Sequence, residues 1–351
     1  MIRKLTKQVK VGNIAIGGDA KITIQSMAST KTSDINATIS QILRLQNAGC
    51  DIIRVAVPDI EAAEAIKEIK NGINIPIVAD IHFDHKLALA ALAAGADKLR
   101  INPGNIGSKE KVREVTNAAK DKGIPIRVGV NAGSIDGSRF HFPTAEALVE
   151  SGLEEIGVLE DCGFEDIVIS LKAFDVPTMI KAYTFASERC KYPLHLGVTE
   201  AGLAYEGSIR SAVGIGALLA NGIGDTIRVS LTADPIEEIK AATEILASLD
   251  LLTKPFTLVS CPTCGRCEVD IASVAKEVSS RLSKLEIKKP ITVAVMGCVV
   301  NGPGEAKMAD IGVAGGKGSA ALFIKGEMIR KIDASEMADV LVDEVIKIAS
   351  N

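Results

Sequence analysis

Ile52-Ile53-Arg54-Val55-Ala56-Val57-Pro58, the helical pattern over residues 60–70, and Ile75-Pro76-Ile77-Val78-Ala79-Asp80-Ile81-His82 together read as strand, helix, strand. Both strands are nearly continuous apolar runs, the mark of strands buried on two faces of a parallel sheet. The same unit recurs along the chain. Strands are expected at 22–27, 52–57, 75–81, 98–101, 126–131, 166–171, 194–198 and 226–230. Helical patterns are expected at 36–48, 60–70, 86–94, 109–122, 144–162, 176–190, 207–221 and 235–248. Eight such units point to an α/β fold whose first domain, residues 1–252, is a closed (β/α)8 TIM barrel. A doubly wound open sheet is the alternative.

Residues 9–18 alternate apolar and polar side chains before a Gly pair, so a hairpin plugging the bottom of the barrel is expected. After a linker at 252–255 the pattern changes. Residues 256–351 read as a second, small α/β domain, with helices at 269–285 and 335–349 and strands at 291–296, 311–314 and 321–325.

Composition narrows the class of function. The chain has 351 residues, 47% apolar, only 3% aromatic, and a formal charge of −4. Its basic residues are dispersed, and stacking aromatics are few, which argues against nucleic acid as a partner. No apolar run approaches the ~20 residues that span a bilayer, and the basic N-terminus lacks the apolar core of a signal peptide. A cytoplasmic protein with no membrane partner is expected. Its seven cysteines then read as thiols or metal ligands rather than disulfides. Cys50, Cys162 and Cys190 fall in or beside helical patterns and read as small core residues.

In a TIM barrel the chemistry sits at the carboxyl ends of the strands. Those ends carry Arg54, Asp80 and His82, Arg100 and Asn102, Arg127 and Asn131, Ser170 and Lys172, Glu200, and Arg228 and Ser230. One arginine at a strand end is ordinarily a surface ion pair. Five cations at equivalent positions call for an anion, and phosphate or diphosphate suits the bidentate fork of arginine. Glu200, after Gly197-Val198-Thr199, is the best acid or base, with an ion pair to an arginine as the plain reading. Asp80 and His82 share one strand face and fit either a structural pair or a site for a hydroxyl.

The second domain holds Ser260-Cys261-Pro262-Thr263-Cys264-Gly265-Arg266-Cys267 and, later, Gly297-Cys298-Val299-Val300-Asn301-Gly302-Pro303-Gly304-Glu305. Four thiols and a carboxylate in Gly- and Pro-kinked turns fit ligation of zinc or of an iron-sulfur cluster. Cys298 lacks the paired cysteine of a zinc ribbon, which favours the cluster.

These two motifs resemble the signatures of the 4-hydroxy-3-methylbut-2-enyl diphosphate synthase (IspG or GcpE) family, in its two-domain bacterial form. Supporting matches are Gln25-Ser26-Met27, Arg54-Val55-Ala56-Val57-Pro58, Ala79-Asp80-Ile81-His82-Phe83, Arg100-Ile101-Asn102-Pro103-Gly104-Asn105, Arg127-Val128-Gly129-Val130-Asn131, Ser170-Leu171-Lys172 and Leu196-Gly197-Val198-Thr199-Glu200-Ala201-Gly202. The resemblance implies an iron-sulfur oxidoreductase of the methylerythritol phosphate route to isoprenoids. It would open and dehydrate 2-C-methyl-D-erythritol 2,4-cyclodiphosphate to 4-hydroxy-3-methylbut-2-enyl diphosphate, with electrons from reduced flavodoxin or ferredoxin. It also implies that Cys261, Cys264, Cys298 and Glu305 ligate a 4Fe-4S cluster, with Glu305 exchangeable. Arg54, Arg100, Arg127 and Lys172 would hold the diphosphate, and Glu200 would be the acid. Cys267 departs from that ligand set and reads as a bystander opening the next helix. The alternative function is a zinc-containing, phosphate-binding TIM-barrel synthase, similar to the pterin-condensing synthases.

One geometric difficulty shapes the expected assembly. The eighth helix runs away from the barrel mouth for about 21 Å over its ~14 residues, and a six-residue linker spans only about 20 Å. A head-to-tail homodimer, each small domain capping the partner's barrel, resolves it.

Overall fold

The computed structural model describes residues 3–134 and 144–349. The chain forms two compact units, Met1–Leu252 and Thr253–Asn351. In the first, the antiparallel pair β1 (Val9–Val11) and β2 (Ile14–Ile16) precedes eight parallel strands. These are β3 (Thr23–Met27), β4 (Ile52–Val57), β5 (Ile77–Ile81), β6 (Lys98–Ile101), β7 (Ile126–Asn131), β8 (Ile167–Lys172), β9 (His195–Leu196) and β10 (Thr226–Ile227). Their order is β8-β7-β6-β5-β4-β3-β10-β9, and a parallel bridge from Ile169 to Leu194 joins the two ends into a barrel.

Around it run α1 (Ile35–Asn47), α2 (Ile60–Asn71), α3 (His85–Ala93), α4 (Pro103–Ile106), α5 (Lys109–Asp121), α6 (Ala145–Glu160), α7 (Val176–Arg189), α8 (Ala204–Ala220) and α9 (Pro235–Ala247). Asp34, Asp59, Asp84, Thr144, Asp175 and Asp234 each accept a hydrogen bond from a backbone N–H in the first turn that follows. Each such cap stabilises its helix start by about 1 kcal/mol.

Strand parity sorts the barrel into an apolar outside and a polar inside. Ile53, Val55, Ile77, Ala79, Leu99, Ile101, Val128, Ile169 and Leu171 belong to the large core shared with the helices. Their neighbours along each strand face inward, and the cross-strand register keeps Arg54, Asp80, Arg100, Arg127 and Lys172 in that inward set. At the lower end the inward residues Ile52, Val78 and Val168 pack against Val9, Val11 and Ile16 of the hairpin.

Lys98 is an inward residue as well, fully buried, with Gln25 Oε1 at 3.3 Å as its partner. Burial, and then Arg127, push its pKa well below the ordinary lysine value. The unfolded chain therefore holds more protons between the folded pKa and that ordinary value, and stability rises with pH across this window. Lys98→Met removes a buried cation that faces no carboxylate. It is expected to raise the melting temperature at neutral pH and to flatten the alkaline rise. Thermal unfolding across pH checks this, and a lower Tm with the slope intact contradicts it.

The second unit is a five-stranded sheet in the order β11 (Phe256–Ser260), β12 (Ile291–Met296), β13 (Ile311–Gly315), β14 (Ser319–Ile324), β15 (Glu327–Asp333). The first three strands are parallel and the last two pairings antiparallel. Helices α10 (Ile271–Leu282) and α12 (Met337–Ala349) bury Val278, Leu282, Leu341 and Val345 against Val293, Val295 and Val313. On the other face α11 (Gly302–Met308) packs Ala306 against Ala294, Met296 and Ala314.

Candidate functional site

At the carboxyl ends of the barrel strands lies a cavity of about 120 Å³, lined by Arg54, Asp80, His82, Arg100, Arg127, Asn131, Ser170, Lys172, Thr199, Arg228 and Ser230. Nine of the ten barrel residues singled out from the sequence as catalytic or substrate-binding are accounted for by this lining and by Asn102, which is buried at the end of β6 with its Oδ1 lacking a partner. The tenth, Glu200, is exposed on the rim and stands apart from the lining. Its φ of +53° places a non-glycine residue in the left-handed region, a conformation the local structure must hold. Among the described residues it makes no ion pair.

Asp80 organises one side of the mouth. It lies 3.3 Å from Arg100 and 3.8 Å from Arg54, with His82 Nε2 at 3.5 Å. Burial alone would raise its pKa, but Arg54, the hydrogen bond with His82 and Arg100 together hold it well below the usual carboxylate range. Arg54 also donates from Nε and Nη2 to Met27 Sδ, and Arg100 Nη2 donates to the Gly129 carbonyl at 3.2 Å. On the opposite side Glu238, from α9, lies 3.9 Å from Arg228 and accepts from Ser26 at 3.1 Å and from the Leu231 N–H at 3.0 Å.

The other cations are not balanced. Arg127 is buried with Nε and Nη1 unpartnered. Lys172 is buried too, and burial, then Arg228 and Arg127, push its pKa down well below the usual lysine value. Arg54, Arg100, Arg127, Lys172 and Arg228 make five cations against the two carboxylates Asp80 and Glu238, which leaves three without a counter-charge. Buried unpaired charge is costly, so the mouth is built for a polyanion.

Two inward glycines make room for it. A Cβ at Gly129 would stand 2.7 Å from Arg100 Nε, and one at Gly197 would stand 2.8 Å from Lys172 Nζ. Both spacings are tighter than atoms tolerate, so these cations reach their places only because side chains are missing opposite them. Glu238 was invisible to sequence reasoning because it arrives from a helix rather than a strand end.

In the second unit the thiols collect at one end of the sheet. Cys261 follows β11, and its Sγ accepts the Gly297 N–H at 3.2 Å. Cys298 follows the adjacent β12 and receives backbone N–H groups of Asn301, Val300 and Gly302, which lower its pKa. The backbone and guanidinium of Arg266 do the same for the exposed Cys264. N–H donors and a nearby cation favour the thiolate, the form that binds metal. Cys267 differs: its Sγ donates to the Val269 carbonyl at 3.0 Å, and it packs against the core with Cys261. Glu305 is exposed in the first turn of α11. Among the described residues no three His, Cys, Asp or Glu side chains already converge on one metal-binding centre. The donor set of three thiols and a carboxylate fits an iron-sulfur cluster in chemistry.

A parallel barrel with an excess of cations at its mouth, joined to an α/β unit whose clustered cysteines have lowered pKa values, is the class of protein that fold and site define. The chain belongs to the GcpE family: the GcpE TIM-barrel domain matches residues 6–243 and the GcpE protein C-terminal domain matches residues 257–347. It is 57% identical over 351 residues to the 4-hydroxy-3-methylbut-2-en-1-yl diphosphate synthase (flavodoxin) of Clostridium perfringens, covering 99% of each chain. To the protein of the same name from Shouchella clausii it is 56% identical over 350 residues, covering 99% of this chain and 95% of that one.

Among solved structures, the dihydropteroate synthase of Stenotrophomonas maltophilia aligns with a TM-score of 0.53 at 15% identity, over 71% of this chain and 100% of that one. That of Yersinia pestis aligns with a TM-score of 0.52 at 12% identity, over 69% and 98%. At such identity the likeness is one of barrel fold alone. The relatives lend no support to the zinc-containing synthase. No helix among the described residues is long and apolar enough to cross a membrane.

Proposed function

We propose that this protein converts 2-C-methyl-D-erythritol 2,4-cyclodiphosphate, two electrons and two protons into 4-hydroxy-3-methylbut-2-enyl diphosphate and water, in the cytoplasm, with reduced flavodoxin as donor. The observation that carries the reading is the three uncompensated cations in the barrel mouth, enough to neutralise the two negative charges of the cyclic diphosphate and the third that ring opening adds. The names of the relatives support the same reaction.

Arg54, Arg100, Arg127 and Lys172 hold the diphosphate, with Asn102, Asn131 and Ser230 as neutral partners. Fixing both phosphoryl groups leaves the carbon skeleton a single orientation. Asp80 and His82 steady Arg100 and face the sugar-derived hydroxyls. A 4Fe-4S cluster held by Cys261, Cys264, Cys298 and Glu305 would supply electrons singly and a Lewis acid for the departing oxygen.

Glu200 donates a proton as water leaves. Its place on the rim lets it meet the substrate from above the cation floor. Glu200→Gln is expected to keep substrate affinity within about threefold and to lower turnover by about 10²–10³-fold, the usual weight of a general acid. Steady-state rates beside calorimetric binding check this, and near-normal turnover removes Glu200 from the role.

We place the site in a head-to-tail homodimer. In the barrel α9 carries the chain from the mouth to the opposite end, and only residues 248–255 connect it to β11. A cluster unit serving a second copy's barrel satisfies that topology under twofold symmetry. A monomer with full turnover contradicts it.

A further inference from the structure

Glu155, on α6, is a half-buried acid beside the diphosphate floor that the reaction above does not use. Its carboxylate accepts the backbone N–H of Gly104, while Oε2 is buried without a partner. Asn102 Oδ1, two residues before Gly104, is a second buried acceptor without a partner. The two residues flank one empty point: a Cβ on Gly104 would stand 3.2 Å from Glu155 Oε1 and 3.3 Å from Asn102 Oδ1. Two orphaned acceptors on residues that flank one point lack a proton, and a buried acceptor left unmet is costly.

We propose that Glu155, held as the neutral acid, donates its Oε2 proton to Asn102 Oδ1 and so fixes the Asn102 amide with its NH2 presented to the diphosphate. This rests on the diphosphate reading of the mouth. It makes Glu155 a positioning residue that acts through Asn102 and touches no substrate. An anion needs donors, and only this orientation of the amide offers them. Burial is the main influence on Glu155 and pushes its pKa up to about 7, against the Gly104 N–H and Arg100, which lower it, and with Glu154, which raises it. Among the described residues Arg100 and Glu154 are the charged groups that act on it.

A carboxyl with a raised folded pKa contributes stability that is full below its unfolded value and is lost as pH climbs through about 7. Deprotonation also leaves an anion facing Asn102 Oδ1, so the amide loses its anchor and diphosphate affinity falls. Glutamine reproduces the neutral acid, since its Nε2 donates to Asn102 while its Oε1 accepts from Gly104.

The test is titration calorimetry of the cyclic diphosphate into anaerobically prepared holoenzyme between about pH 6 and pH 8.5, together with thermal unfolding of the ligand-free protein over the same range. Wild type is expected to lose affinity about tenfold, and to fall in Tm, as pH rises through the titration of Glu155. Glu155→Gln is expected to hold the low-pH affinity and a flatter Tm throughout, and Glu155→Ala to bind weakly at every pH. Flat wild-type profiles, or a Glu155→Gln protein that retains the wild-type slope or binds weakly, overturn the proposal, because the carboxylate would then be ionised and accepting from Asn102 Nδ2. If no protein binds the cyclic diphosphate at any pH, the reading of the mouth fails, and the two Tm profiles still decide the state of Glu155.

Discussion

Arg127→Met is expected to lower kcat/KM for the cyclic diphosphate by about 10²–10³-fold while raising the melting temperature. The two effects share one cause. Arg127 is buried with Nε and Nη1 unpartnered, and burial, Arg54 and Arg100 push its pKa well below the ordinary arginine value. In the free protein it is an uncompensated cation, which methionine replaces with an apolar chain of similar length. In the complex the same donors meet phosphate oxygens, and charge-assisted bonds of about 1.5–3 kcal/mol each are then lost. Most of the loss should appear in KM, since the bond is present before the chemistry begins. A variant that is less stable and fully active would mean that Arg127 is a structural residue and the mouth is not its function.

Cys298→Ser is expected to abolish turnover, by more than about 10³-fold, and to empty the protein of iron and acid-labile sulfide while leaving binding of the cyclic diphosphate intact. Backbone N–H groups of Asn301, Val300 and Gly302 lower the pKa of Cys298, whereas a serine hydroxyl in the same place stays protonated and is a poor ligand. Retained binding with lost iron separates the two units, because the cations belong wholly to the barrel. Wild-type protein is expected to carry about four irons with matching sulfide. About one zinc and no sulfide, unchanged by the substitution, would refute the cluster.

Much of the barrel was legible because its strands are buried on both faces. The expected segments 52–57, 98–101 and 126–131 coincide with β4, β6 and β7, where apolar runs end abruptly at Pro58, Asn102 and Asn131. The last two strands are shorter than their patterns, His195–Leu196 and Thr226–Ile227 against 194–198 and 226–230. There the ladder gives way at Gly197 and Arg228, where backbone yields to the mouth.

The second unit was less legible. Gly302-Pro303-Gly304 reads as a turn, yet it opens α11, because proline is suited to the first helical turn and Ala306 supplies a buried face. β15 was missed because Glu327–Asp333 is exposed along nearly its whole length, the signature of an edge strand with one-sided support. β11 was hidden beside the cysteine motif, with Pro255 before it and Cys261 after it.

The strand-end cations could be read directly, since inward position follows from parity once a barrel is assumed. What could not be read is what the mouth omits or borrows from helices. Gly129 and Gly197 matter through the absence of a side chain opposite Arg100 and Lys172. Glu238 pairs with Arg228 of the mouth from α9, and Glu155 stands behind Asn102 on α6, where one acid in a helical pattern is indistinguishable from a solvated one.

The most direct measurement of the central claim, that barrel and thiolate unit act on one diphosphate, is a single-turnover experiment. Protein reduced stoichiometrically and freed of donor is mixed with the cyclic diphosphate while its visible absorption is followed and the product is assayed. We predict reoxidation at a rate that rises and saturates with substrate, together with formation of 4-hydroxy-3-methylbut-2-enyl diphosphate, and a rate about 10²–10³-fold lower in Arg127→Met at the same subsaturating concentration. Reoxidation that ignores the substrate, or proceeds unchanged without Arg127, would contradict the account.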